Sequence, residues 1–196
     1  MADGPFEVRS DAGSLLGGND LLARLDRWVS AARSDHAAAA RSRERWLRQV
    51  ADESASFTGV LVDLAERGAP VVVHGAAGRR HHGIVHGVGT DFVALRTAQG
   101  AAVLLALSSL AYVRPEASSS TALGDRDLDL AVGLAEALAA LAEDRPRVLV
   151  VTTADCDGIA GELRAVGRDV VTLRLDGAPR AAAYVPLATI AEVRLA

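Results

Sequence analysis

Val88-Gly89-Thr90-Asp91-Phe92-Val93-Ala94-Leu95-Arg96 and Val166-Gly167-Arg168-Asp169-Val170-Val171-Thr172-Leu173-Arg174 are nearly one sentence written twice. In each, a Gly-x-Asp turn separates a valine from an alternating apolar run. Val93 and Leu95, like Val171 and Leu173, lie two residues apart and point to one side of a strand. Without a gap the match runs back through Gly83/Gly161 to Val72-Val73/Val150-Val151. Downstream, Leu107-Ser108-Ser109-Leu110-Ala111-Tyr112-Val113-Arg114 matches Leu187-Ala188-Thr189-Ile190-Ala191-Glu192-Val193-Arg194, after two extra residues in the second hairpin at 176–180. Upstream, Phe57, Leu61 and Leu64 align with Leu134, Leu138 and Leu141. The chain therefore reads as an internal repeat whose unit is a helix followed by about five short strands.

Gly83 and Gly161 fall in the middle of a strand, where the missing side chain permits a strong bend. The first unit's strands are expected at 71–74, 82–88, 92–96, 101–106 and 110–113. Before them, 19–58 holds neither Gly nor Pro and is rich in Ala and Arg, a helical composition. Leu21, Leu25 and Trp28 give one apolar face and Trp46, Leu47 and Val50 another; Ser34-Asp35 starts a second helix, or the first runs through. A further helix is expected at 54–67, ended by Gly68 and Pro70, and another at 125–143. The expected organisation is a flexible tail at 1–18, helices at 19–53, a first helix-plus-strands domain at 54–115, a linker at 116–125 and a second domain at 126–196.

The chain has 196 residues, half of them hydrophobic but only 4% aromatic; it holds 39 Ala and 21 Arg, and no Lys. A net charge of −4 argues against a globally basic nucleic-acid binder while leaving room for a local basic patch. The single Cys156 excludes an internal disulfide and a cysteine-rich zinc site. No apolar run approaches the ~18 residues of a membrane span. Residues 1–18 are polar and Gly-rich, without a signal sequence's apolar stretch. A cytoplasmic protein is expected. Nucleophile-elbow, phosphate-loop, dinucleotide and zinc-protease motifs are absent, and the lack of Lys excludes Schiff-base chemistry. The expectation is a protein that is not an enzyme and takes no cofactor and no metal.

A helix followed by five short bent strands resembles the Sm-like family, which includes the bacterial Hfq proteins. Gly83-Ile84-Val85-x-x-Val88-x-x-Asp91-Phe92-Val93-x-Leu95 looks like its first motif, and Leu107-Ser108-Ser109-Leu110 like its short final strand. The second copy repeats the skeleton from Gly161 to Val193. The resemblance implies an α+β fold: two tandem Sm-like five-stranded small β-barrels, each preceded by a helix, plus N-terminal helices. It does not imply the family's uridine pocket. The Tyr-Lys-His triplet of Hfq falls on Val103-Leu104-Leu105 and Ala183-Tyr184-Val185, and the asparagine and Arg-Gly pair of other members are missing.

Two basic segments are the candidate nucleic-acid contacts. Between 24 and 48 seven Arg face only Asp26, Asp35 and Glu44, and Arg41, Arg45 and Arg48 share one helical face. The alternative is a solvated face with Glu44–Arg48 helix pairs. The second segment is Arg79, Arg80, His81 and His82, with His74 and His86 nearby; here a plain polar loop is the alternative. His82 and His86 share a strand face, but no third metal ligand stands beside them. The matching loop of the second copy, Asp155-Cys156-Asp157, is acidic, and its carboxylates oppose an activated thiolate. Two function classes follow. One is binding of nucleic acid, RNA rather than DNA, in a regulatory role. The other is a protein-assembly module acting through its strands and helices. Open strand edges and Ala–Leu helix faces lead to the expectation of a homo-oligomer.

Overall fold

The computed structural model describes residues 15–116, 122–127, 131–154, 157–177 and 181–195. The chain divides at Val50/Ala51 into two units. The first consists, among the described residues, of residues 15–50 of helix α1 (Leu15–Ser54). One uninterrupted helix settles the choice left open at Ser34-Asp35. It begins before Asn19, so residues 15–18 of the expected tail are helical; the rest of that tail lies outside the described residues.

The second unit opens with α2 (Phe57–Glu66). Ser56 starts it by accepting a 2.9 Å bond from the Gly59 N–H, which is why the helix begins after 54. Five strands follow: β1 (Pro70–Gly75), β2 (Arg80–Val88), β3 (Phe92–Thr97), β4 (Ala102–Ala106) and β5 (Leu110–Pro115). Then come α3 (Leu134–Ala142) and β6 (Arg147–Thr152), β7 (Ile159–Val166), β8 (Val170–Leu175), β9 (Ala182–Pro186) and β10 (Ile190–Leu195). The helix expected from 125 is shorter than its apolar pattern. Val132 is not helical, its carbonyl accepting from the Thr90 N–H, and the helix starts only after the extended Gly133. No helix among the described residues is long and apolar enough to cross a membrane.

The strands form one sheet in the order β5-β1-β2-β3-β4-β10-β6-β7-β8-β9, with every neighbouring pair antiparallel. This overturns the expectation of two small five-stranded β-barrels in tandem. Closing the first would require β4 to return to β5. Instead β4 pairs with β10, through Leu105↔Glu192, Leu104↔Val193 and Val103↔Arg194, and β5 and β9 remain as the two ends of an open sheet. The order is nonetheless the same in both halves, β5-β1-β2-β3-β4 and β10-β6-β7-β8-β9. Each half has a bulge at the same place, between Val85 and Gly87 and between Leu163 and Ala165. The ungapped match fails only at the first strand. Val71 lies across from Gly83 and Val148 from Gly161, so Val71 corresponds to Val148, one residue away from the sequence alignment. The β6–β7 loop absorbs the extra residue.

Two apolar clusters hold the unit. The first joins Leu61 and Leu64 of α2 to Val71, Val73, Val85, Val93, Leu95, Val103 and Leu105. The second joins Leu134 and Leu138 of α3 to Val148, Val150, Leu163, Val171, Leu173, Val185 and Val193. Phe92, Leu104 and Ala106 belong to first-half strands yet pack in the second cluster. At about 1.5–3 kcal/mol for a fully buried Leu or Phe, this crossing is a large part of what joins the halves.

The mid-strand glycines answer to contact. A Cβ on Gly83 would lie 2.3 Å from the Arg96 carbonyl oxygen, and one on Gly161 2.6 Å from that of Arg174. Both obstacles are backbone of the adjoining strand and cannot rotate away. Gly83→Ala should therefore lower the unfolding free energy by about 1–3 kcal/mol in urea denaturation; an unchanged midpoint would refute the close approach.

Candidate functional site

The segment from Arg79 to His82 enters β2, and strand alternation splits it. Arg79 and His81 turn inward. Arg79 Nε donates to Glu192 Oε2 at 2.9 Å, and His81 Nε2 lies 3.0 Å from the same oxygen. The histidine lies within contact distance of that oxygen, without the alignment of a directed hydrogen bond. Arg194 donates to Glu192 Oε1 at 3.1 Å. Glu192 and His81 are both buried. Since Glu192 stands on β10, these contacts tie the second half to the start of β2 in the first. Arg79 and His81 are thus structural at this seam.

Burial alone would raise the Glu192 carboxyl, but His81 and Arg79 outweigh it and hold the group at about 2. Ala191-Glu192-Val193 carried the signal: a lone carboxylate inside an apolar strand must be paired. Asp63 was missed similarly. Buried on α2, it pairs with Arg67 at 2.7 Å and accepts the Leu123 N–H, holding residues 122–124 of the expected linker to the helix. Residues 117–121 lie outside the described residues.

Arg80 and His82 turn outward, where the register assembles a face that the sequence reading did not. His74 lies across from Arg80 on one side and from Tyr112 on the other, and Ile84 lies across from Arg96. Val72 is flanked by His82 and Arg114. The His74 ring stacks on Tyr112 with centroids 4.1 Å apart. Partial burial first, then the charges of Arg80, Arg114 and His82, push His74 below its usual value. His82 Nδ1 meets Glu116 at 2.6 Å. Beside this face, Arg80, His82, Thr97, Gln99 and Arg194 line a cleft of about 200 Å³. In the second half, Glu162 instead lies between Arg164 and Arg174, and Arg147 pairs with Asp176. Its hydrogen bond from Arg164 leads the effects that hold Glu162 below the usual carboxylate range.

On α1, within the first unit, Arg41, Arg45 and Arg48 are exposed. Arg48 pairs with Glu44 at 3.0 Å, and Arg45 donates to the Arg41 carbonyl and to Ser42. Opposite them by helical spacing runs an apolar stripe, Leu21, Leu25, Trp28, Trp46 and Val50, interrupted by Asp35, His36 and Arg43. Among the described residues no group of three or more His, Cys, Asp or Glu is arranged to hold a metal ion. Asp155 and Cys156 lie outside the described residues. No protein-family model matches the chain, and neither curated proteins nor solved structures give a match.

The Glu192 cluster makes stability depend on acid. Its carboxyl is depressed in the folded chain, so its contribution is whole above about pH 4.5 and is lost as pH falls toward 2. The loss is on the order of 3 kcal/mol. Glu192→Gln should flatten that part of the pH–stability curve, measured by chemical denaturation between pH 2 and 6; a wild-type curve in the variant would refute the pairing.

Proposed function

We propose that the chain is a non-catalytic protein-assembly module. One observation carries the reading: both of its tryptophans stand exposed on α1, 69% for Trp28 and 61% for Trp46, in line with Leu21, Leu25 and Val50. Large aromatics are costly to leave in water and are enriched at the centres of protein interfaces. The state of the cations supports the same reading. Arg48, Arg67, Arg79, Arg126, Arg147, Arg164, Arg174 and Arg194 each meet a carboxylate of the chain itself. A polyanion binder keeps its arginines for phosphates.

Nucleic-acid binding is the second reading, favoured by the outer face of the first half. There Arg80, Arg96 and Arg114 have no carboxylate partner among the described residues, and the stacked His74–Tyr112 pair offers an aromatic surface for a base. This face replaces the Arg79–His82 loop as the candidate contact, since Arg79 and His81 are occupied.

Light scattering at micromolar concentration should give at least a dimer. Trp28→Ala with Trp46→Ala should weaken association at least tenfold. RNA and DNA should give no anisotropy change at about 50 mM salt. A monomer that binds RNA, with a salt slope falling by about 0.7–0.9 for each of Arg80, Arg96 and Arg114 replaced by Ala, would put the second reading in place of the first.

A further inference from the structure

The apolar stripe of α1 is uncovered within the chain, its tryptophans and Leu21, Leu25 and Val50 all exposed. A long helix takes most of its stability from packing such a face. The spacing of the stripe specifies what covers it. Two lines of residues seven apart compose it: Leu25, Ala32, Ala39 and Trp46, and beside them Leu21, Trp28, Asp35 and Ser42. That period is the seam of a pair of supercoiled helices. Midway between Trp28 and Trp46 the helix reads Ala37-Ala38-Ala39-Ala40, small side chains that let a second helix approach closely. The charges are distributed with the same symmetry. Arg24 stands nearly as far before Ala37 as Asp52 stands after it; both are exposed, and neither has a charged partner among the described residues.

We infer that α1 pairs with α1 of a second copy of this chain, antiparallel, about a twofold axis at Ala37. The inference rests on the assembly reading and names its partner. Each seam residue then faces the one equally far from Ala37 on the second copy. Trp28 of each copy meets Trp46 of the other, closing both ends of an alanine centre, and Ala32 meets Ser42. On one flank Leu22 lies beside Val50; on the other Arg24 lies beside Asp52, opposite charges that pair twice by symmetry. The interruptions of the stripe also find partners. Asp35 faces Ala39, with His36 and Arg43 of the second copy on the flanking line beside its carboxylate. Other pairings of the same stripe oppose like charges or bury one against an aromatic. A parallel pair sets Asp35 against Asp35 in one layer. An antiparallel pair slipped by seven residues either sets Arg24 against Arg45 or lays Trp46 on Asp35. The contact joins the same surface of both copies, so it closes at two.

The test uses the full chain with Cys156→Ser. Facing Cα atoms of closely packed helices lie about 5–7 Å apart, within disulfide reach. Ala32→Cys chains mixed with Ser42→Cys chains should cross-link on mild oxidation, and neither should do so alone. Arg24→Asp should weaken association at least about fivefold, and Asp52→Arg added to the same chain should restore it, with helix content by circular dichroism constant throughout. An oligomer by light scattering without the mixed cross-link, or with one from Ala32→Cys alone, would overturn the inference and leave the assembly reading standing; a monomer would overturn both. Association untouched by Arg24→Asp, or not restored by the exchange, would overturn the register.

Discussion

The pairing of β4 with β10, with Glu192 in its first residue pair, is the contact on which the rest depends, because it makes one sheet of two halves. Its three residue pairs are a weak ladder by themselves. The apolar burial of Phe92, Leu104 and Ala106 beneath α3 supplies most of the stabilisation, at a few kcal/mol. The ion cluster does another job. A buried carboxylate with its cations comes close to break-even against an apolar replacement, so it adds little net stability. It does set the register. A slip of one residue would turn Glu192 to the opposite face, away from Arg79 and His81, and leave a charge buried without a partner.

The parts of the fold written in the sequence are those governed by local chemistry. Gly-x-Asp turns, mid-strand glycines and alternating valines place each strand within a few residues. The helix after Ser56 follows from its cap, and the end of α2 from Gly68. The choice between two closed barrels and one open sheet was not local. Both use the same strands in the same order, and the difference lies in whether β4 turns back to β5 or onward to β10. The late start of α3 was equally hidden, because its cap, Asp91, comes from a turn more than forty residues earlier.

The candidate site was half legible. Runs of Arg and His drew attention to Arg79–His82, but the period of a strand divides such a run between two environments. Arg79 and His81 are structural for that reason, while Arg80 and His82 join residues from β1, β3 and β5 that no linear pattern connects. Tyr112 and Glu192 hold equivalent positions in the repeat, and their difference marks the two contexts: a carboxylate where the neighbouring half brings cations, an exposed aromatic where the sheet ends.

Strand pairing thus builds the sheet, and in this account helix pairing builds the assembly. Hydrogen–deuterium exchange tests that claim most directly. At concentrations where the protein is assembled, the amides of α1 between Trp28 and Trp46 should be protected, and dilution should release them while sparing those joining β4 and β10. If α1 exchanges as an unpacked helix at every concentration, pairing stops at the seam within the chain and the account is wrong.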